Sequence, residues 1–194
     1  MSTVVSTTTA VPATHRLPLS FWRAHIMPVT IGCALMILFT KISIPLQPVP
    51  ISLQTVAVML IGLLYSRANA IQSIASYLAL GALGLPVFAT TAGVSALIGP
   101  TGGYLLGFLV AVTVMGIARE KWFSKATWVN QVILCLFGTG VIFGLGISWL
   151  ASLIGLKQAF ALGFMPFVLP AIVKVGILTS LLKLYRNLTK NSVL

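Results

Sequence analysis

The sequence predicts an all-α integral membrane protein built as a six-helix bundle, and three observations carry that prediction. Hydrophobic residues make up 58% of the 194-residue chain and charged residues only 7%, a balance that an ordinary water-soluble domain does not show. The apolar residues collect in long runs, and at about 20 residues per spanning helix the length holds roughly six helices with short connections. The runs are broken by proline, glycine and clustered basic residues, as expected where helices leave a bilayer.

Taken in order, the runs fall at 24–44, 51–66, 68–83, 102–118, 127–154 and 164–185. The second and third are short for a simple span, so they are expected to stand upright or to extend into the flanking loops. One domain over 24–186 is expected, between an N-terminal tail over 1–23 and a C-terminal tail over 187–194. The first twenty residues are polar and threonine-rich, without the basic, apolar and small-residue pattern of a removable signal peptide.

The net charge of +11 suggests nucleic acid in a soluble protein, but here the cations lie at helix ends, where they orient the chain and meet anionic head groups. If both termini face the cytoplasm, every basic residue except Lys41, Lys157 and Lys174 lies on the inner side. That asymmetry obeys the positive-inside rule and agrees with an even number of spans. Trp22, Trp122, Tyr65 and Tyr185 then lie near the inner boundary, where aromatic belts form. A multi-pass membrane location with both termini in the cytoplasm is expected.

On this topology both long outer connections are irregular. Residues 45–50 form the proline-rich link Pro45-Leu46-Gln47-Pro48-Val49-Pro50, which cannot be helical. Residues 84–99 are apolar yet broken by Gly84, Pro86 and Gly93. Irregular apolar backbone at a membrane edge persists where it is buried in protein or lines a cavity. The two loops therefore read either as covers over an outward-facing pocket or as plain turns.

Lys174 is the chemically exceptional residue. It lies inside the last apolar run of a chain with no Asp and a single Glu, Glu120, which sits between Arg119 and Lys121. A cation at such a place is costly and marks a functional site, with its partner to be found. An anionic or strongly hydrogen-bonding ligand is the natural candidate.

Around Pro100, the run Gly99-Pro100-Thr101-Gly102-Gly103-Tyr104 combines a helix break, two glycines and two hydroxyls. It serves equally well as a binding turn or a packing turn, and it lacks the lysine of a phosphate-binding loop. Gly103 and Gly107, and likewise Gly140 and Gly144, are spaced to let helices approach closely, within the bundle or across a homodimer contact. Gln47, Gln54 and Asn69 are further polar groups near segment ends, as ligand partners or as hydrated side chains. His15 and His25 have no thiol or carboxylate at metal spacing, and Cys33 and Cys135 are isolated packing residues, so no metal site is expected. The chain also lacks the residues for a carboxylate proton relay, a zinc protease site or a catalytic triad within the bilayer. An enzyme is not expected.

Several segments then resemble one known family. Pro50-Ile51-Ser52-Leu53-Gln54-Thr55-Val56-Ala57-Val58 is similar to a Pro-Ile-Ser-Leu-Gln-Thr-x-Ala-Val segment of the BioY family, the biotin-binding S components of energy-coupling factor (ECF) transporters. Gly81-Ala82-Leu83-Gly84-Leu85-Pro86-Val87-Phe88-Ala89 and Gly99-Pro100-Thr101-Gly102-Gly103-Tyr104-Leu105-Leu106-Gly107-Phe108 resemble two further segments of that family. The resemblance covers about 31–183.

It implies an S-component-like bundle that takes up biotin as its transported ligand, with no cofactor, and a first outer loop acting as a gate. It implies partners as well, a transmembrane coupling subunit and ATPase subunits. Within that frame Lys174 would supply the cation, Thr101, Tyr104 and Gln54 the polar contacts, and Gly102 and Gly103 the close approach.

Two departures stand out. The family pairs the helix-six lysine with an Asp three residues earlier, and this chain has Ala171 there. The family's Ala-x-x-x-Ala row on helix one, a surface for the coupling subunit, reads Ala24, Pro28, Gly32 here. Ala171 leaves room for a related carboxylate such as lipoate or dethiobiotin as ligand, and the altered row leaves room for a solitary facilitator without ATPase partners.

Overall fold

A computed structural model of the chain describes residues 22–123 and 127–191. Most of the expected N-terminal tail, with His15 and Arg16, lies outside the described residues. So do Lys125, the end of the C-terminal tail and the side chains of Tyr185 and Lys190.

Each of the six apolar runs forms a helix. Helix α1 (Met27–Lys41) continues a π-helical turn over Trp22–Ile26 and ends in a short hairpin, β1 (Ser43–Ile44) with β2 (Ile51–Ser52). Helices α2 (Gln54–Leu64) and α3 (Arg67–Ala82) follow, then the short α4 (Val94–Ile98) and the long α5 (Gly102–Lys121) and α6 (Trp128–Ile154). The chain closes with α7 (Leu156–Gly163) and α8 (Met165–Asn191).

Trp22–Lys41, Gly102–Lys121, Trp128–Ile154 and Leu156–Leu184 are each long and apolar enough to cross a membrane. Their outward positions carry Leu38, Leu106, Phe137, Leu169, Ile172 and Leu181, all exposed. In water that surface would be untenable; in lipid it is the expected coat.

The shortest of the six helices does not span by itself. Helix α2 has 11 residues, about 17 Å of helix, too little to cross. It is nevertheless sunk in the bundle against α5, α1 and α6, with Ala57, Val58 and Ile61 wholly buried. The β1–β2 hairpin, paired Ser43 to Ser52 and Ile44 to Ile51, continues its line toward the loops. Val49 is the one buried residue of this connection, while Ile42, Ile44 and Leu46 are exposed.

Helix α5 is the axis of the bundle. It packs most extensively against α6 and also meets α2 and α3, and Ala111, Val112 and Met115 are fully buried along it. Gly103 and Gly107 face α6, where added Cβ atoms would meet the Leu145 carbonyl at 2.7 Å and the Ile142 backbone at 3.1 Å. On α6 the glycines that face inward are Gly138, against Met115, and Gly146, against Tyr104. Gly140 and Gly144 have nothing within 4 Å, so the Gly140–Gly144 spacing makes no packing contact inside the bundle. Residues 140 and 144 lie on the far side of the helix from 138 and 146, and spacing alone does not tell which side turns inward.

The end of the bundle opposite the long loops is tied by polar groups. Asn69 donates to the Ala24 carbonyl at 2.9 Å and meets His25 at 3.2 Å, joining α3 to the start of α1. This places Asn69 far from the loops, as a tie between helices rather than a ligand partner. Arg119 donates to the carbonyls of Gly62, Leu63 and Tyr65 and so satisfies the open C-terminal end of α2. Glu120 pairs with Arg67 at 3.4 Å, both about half exposed, a contact of small energetic weight. Lys183 lies 5.5 Å from the centre of the Trp128 ring.

The connection after α6 is not covered by any of the six runs. It is helical: Gly155, at φ 84, turns the chain out of α6 and directly into α7. The positive φ is one that glycine adopts without strain. Helix α7 packs against α6 and α8 and brings the Gly163 carbonyl to Tyr104.

Candidate functional site

At the loop end of the bundle, five parts of the chain surround one cavity. The residues after the first turn supply Val49, Pro50 and Ser52, and the start of α2 supplies Gln54 and Thr55. The second loop contributes Phe88, Ala89 and Thr90, and the start of α5 contributes Thr101, Tyr104 and Phe108. Helices α6 and α8 close it with Ile142, Phe143, Phe167, Ala171 and Lys174. About 60 Å³ of it is free space, well below the roughly 300 Å³ at the small end of ligand-filled sites.

The walls carry five aromatic rings, those of Phe88, Tyr104, Phe108, Phe143 and Phe167. Phe143 stands edge-on to Phe167, with centroids 6.1 Å apart, and Phe167 stacks with Tyr104 at 6.3 Å. Among the described residues of the lining, Lys174 is the single charged one. Its ammonium donates to the Ser52 carbonyl at 2.6 Å and to the Thr55 hydroxyl at 3.4 Å. The partner missing from the sequence is therefore a backbone carbonyl, 122 residues away along the chain. An ammonium has three N–H donors, and these two contacts leave one for a ligand.

The position of Lys174 follows from its helix. Pro170 lies inside α8 and removes one backbone N–H a turn before the lysine. Ala171, three residues before Lys174, shares its face of the helix. Both residues border the main cavity and also a smaller adjoining cleft lined by Met59, Thr139 and Leu178. The small alanine keeps the wall between the two spaces low.

The remaining expected site residues separate into two groups. Gln54 lines the cavity and accepts a hydrogen bond from the Ser52 hydroxyl at 2.9 Å. Thr101 and Tyr104 also line it, but their hydroxyls donate to backbone carbonyls, Thr101 to Ala96 at 3.1 Å and Tyr104 to Gly163 at 2.8 Å. Gly102 and Gly103 do not line the cavity. A Cβ on either would run into the Leu97 carbonyl or the side chain of Trp149, so their smallness admits neighbouring protein. Trp149 also donates to the Gly99 carbonyl at 3.0 Å, which holds the turn at Pro100 in place.

Sequence reasoning missed Ser52, Thr55, Thr90 and the phenylalanines. Ser52, Thr55 and Phe88 lie inside the segments that carried the family resemblance, which was their available signal. Phe143 and Phe167 had none, since a phenylalanine in an apolar run is indistinguishable from one that faces lipid.

The two loops meet above the cavity. A partly open cleft of about 450 Å³ runs between Pro45, Gln47 and Pro48 on one side and Thr90, Thr91 and Ser95 on the other. Lys41, at the end of α1, donates to the Pro86 carbonyl at 2.6 Å and ties the second loop to the first helix.

Comparison with known proteins places this arrangement among its relatives. The sequence profile of the BioY family matches residues 8–191. A probable biotin transporter BioY of Rickettsia prowazekii is 34% identical over 166 residues, covering 85% of this chain and 84% of that protein. A biotin transporter BioY of Thermotoga maritima is 39% identical over 137 residues, covering 70% of this chain and 79% of the other. A crystal structure of the S-component for biotin from an ECF-type ABC transporter superposes with a TM-score of 0.72 at 28% identity, over 87% of this chain and 95% of that one.

Proposed function

The chain belongs to the BioY family, and on that premise we propose that it captures biotin in the cavity at the loop end of its bundle, as the substrate-binding subunit of an uptake system. Family membership makes it a multi-pass membrane transport protein rather than an enzyme.

One observation carries the ligand reading: an aromatic-walled cavity holds a single ammonium with one donor to spare. Biotin is an apolar bicycle with a ureido group at one end and a carboxylate at the other, so it fits apolar walls with a few aimed polar groups. Lys174 supplies the charge-assisted bond, and Gln54, Ser52 and Thr101 supply neutral ones. Phe88, Phe143 and Phe167 cover the bicycle. The loop end faces outward, and the end bearing Arg67, Arg119 and Lys121 faces the cytoplasm, as the positive-inside rule directs.

For transport, a membrane coupling subunit and ATPase subunits of the ECF kind are the proposed partners. The reading is tested by purifying the protein from cells fed labelled biotin. Saturable, stoichiometric biotin supports it, and the absence of any saturable biotin binding refutes it. Ala171 favours a second ligand reading, because it opens the wall toward the adjoining cleft. Competition by dethiobiotin or lipoate at concentrations similar to biotin would make a related carboxylate the ligand instead.

A further inference from the structure

Tyr77 lies one layer behind the cavity, fully buried in α3, and does not line it. Its hydroxyl meets three other parts of the fold: the Gln54 amide nitrogen of α2, Thr40 Oγ1 of α1 at 3.2 Å, and the Val87 carbonyl of the 84–99 loop at 3.3 Å. Chemistry fixes the direction of these bonds. The Val87 carbonyl only accepts, so the one tyrosine proton serves it and is shared with Thr40 Oγ1. Thr40 directs its own proton to the Met36 carbonyl at 2.7 Å. The tyrosine oxygen is left to accept from Gln54, which requires the amide nitrogen on that side and turns the amide oxygen toward the Ser52 hydroxyl.

The same ring touches the loop a second time. Tyr77 stands edge-on to Phe88, with centroids 5.4 Å apart at 79°, and Phe88 lines the cavity. One buried residue thus holds a polar wall group of the cavity and the loop that covers it.

We infer that Tyr77 is a positioning residue for ligand selection: it fixes which atom of Gln54 meets the ligand and couples that choice to the seating of the 84–99 loop. The inference rests on the reading of the cavity as the biotin site. With one amide N–H engaged by Tyr77, Gln54 retains a second, and Lys174 retains one of its own. Two donors at one wall select an oxygen acceptor on the ligand. Without the tyrosine hydroxyl the amide is free to turn and present its oxygen, which repels such a group.

The test compares wild-type and Tyr77→Phe protein in lipid nanodiscs with three ligands. These are biotin, its 2-imino analogue (which lacks the ureido oxygen) and biotinamide (which lacks the carboxylate). Tyr77→Phe is expected to weaken biotin about tenfold and to narrow the preference for biotin over one of the two analogues by a similar factor. The analogue affected identifies the oxygen that Gln54 reads. Equal weakening for all three ligands, or none, overturns the inference.

A second variant leaves Tyr77 intact. A Gln54→Glu carboxylate accepts where the amide donated, so it draws the tyrosine proton away from Val87. The Gly84, Leu85 and Gly93 amides, which bond back to α3, should then exchange hydrogen several-fold faster in the ligand-free protein. Unchanged exchange overturns the coupling. Wild-type protein that binds no biotin defeats the ligand reading and this inference together; wild-type binding with either overturning result defeats this inference alone.

Discussion

Lys174 in α8 donates to the backbone carbonyl of Ser52, 2.6 Å away, at the turn that leads into α2. The bond stitches the last helix to the rim of the cavity and holds the ammonium where a ligand can reach it. A carbonyl satisfies the cation's hydrogen bonding without neutralising its charge, which an aspartate would do.

Lys174→Ala should weaken biotin binding more than any other single truncation in the cavity. A hydrogen bond to a charged group contributes about 1.5–3 kcal/mol, so a loss of roughly ten- to a hundredfold in affinity is expected. Tyr104→Phe should cost biotin affinity far less, because the tyrosine hydroxyl is directed to Gly163. Equilibrium binding of labelled biotin to both variants compares the two, and equal losses would contradict the assignment.

Ala171 borders both the cavity and the adjoining cleft, so added bulk there fills ligand space. Ala171→Leu should reduce biotin affinity by roughly tenfold or more with little change in melting temperature. A variant that binds biotin normally would show that the ligand does not approach this part of α8.

Gly103 and Gly144 carry opposite expectations. A methyl group at Gly103 meets the Leu145 carbonyl at 2.7 Å, backbone that cannot swing aside, whereas one at Gly144 meets nothing within 4 Å. Gly103→Ala should destabilise the protein by about 1–3 kcal/mol, and Gly144→Ala should be neutral to within about 1 kcal/mol. Thermal unfolding in one detergent decides the matter.

Lys41 ties the second loop to α1 through the Pro86 carbonyl. Removing that tie should let the loop lift more often without altering the cavity itself. Lys41→Ala is expected to speed biotin release by roughly two- to fivefold, small because the lysine is exposed, with the affinity falling in proportion. Dissociation after dilution into unlabelled biotin measures it.

The architecture was readable from the sequence because a bilayer imposes simple rules. Long apolar runs must become helices, since lipid satisfies no backbone group, and each of the six runs did so. Lys174 was legible for the same reason, as a charge where none is expected. The loops over 45–50 and 84–99 could be recognised as non-helical from their prolines and glycines, and both border the cavity or the cleft above it.

Side-chain direction was not legible. Thr101 and Tyr104 were identified by type, but only the fold shows their protons committed to Ala96 and Gly163. Gly102 and Gly103 fit a ligand and a neighbouring helix equally well on paper, and they face protein. Gly140 and Gly144 share the spacing of Gly103 and Gly107 yet point the other way.

The sequence by itself determined the class of protein and the order of its helices, and it marked Lys174 as the exceptional charge. Those features depend on composition and on local breaks in the chain, and the physics behind them acts within a few residues. Tertiary structure alone decided what Lys174 binds, which aromatic rings wall the cavity and how Tyr77 joins Gln54 to the second loop. These are contacts between segments far apart along the chain, and their geometry is set by how whole helices rotate and pack. That is also why Lys174 reads as a cation without a partner in the sequence and as a held, cavity-lining donor in the fold.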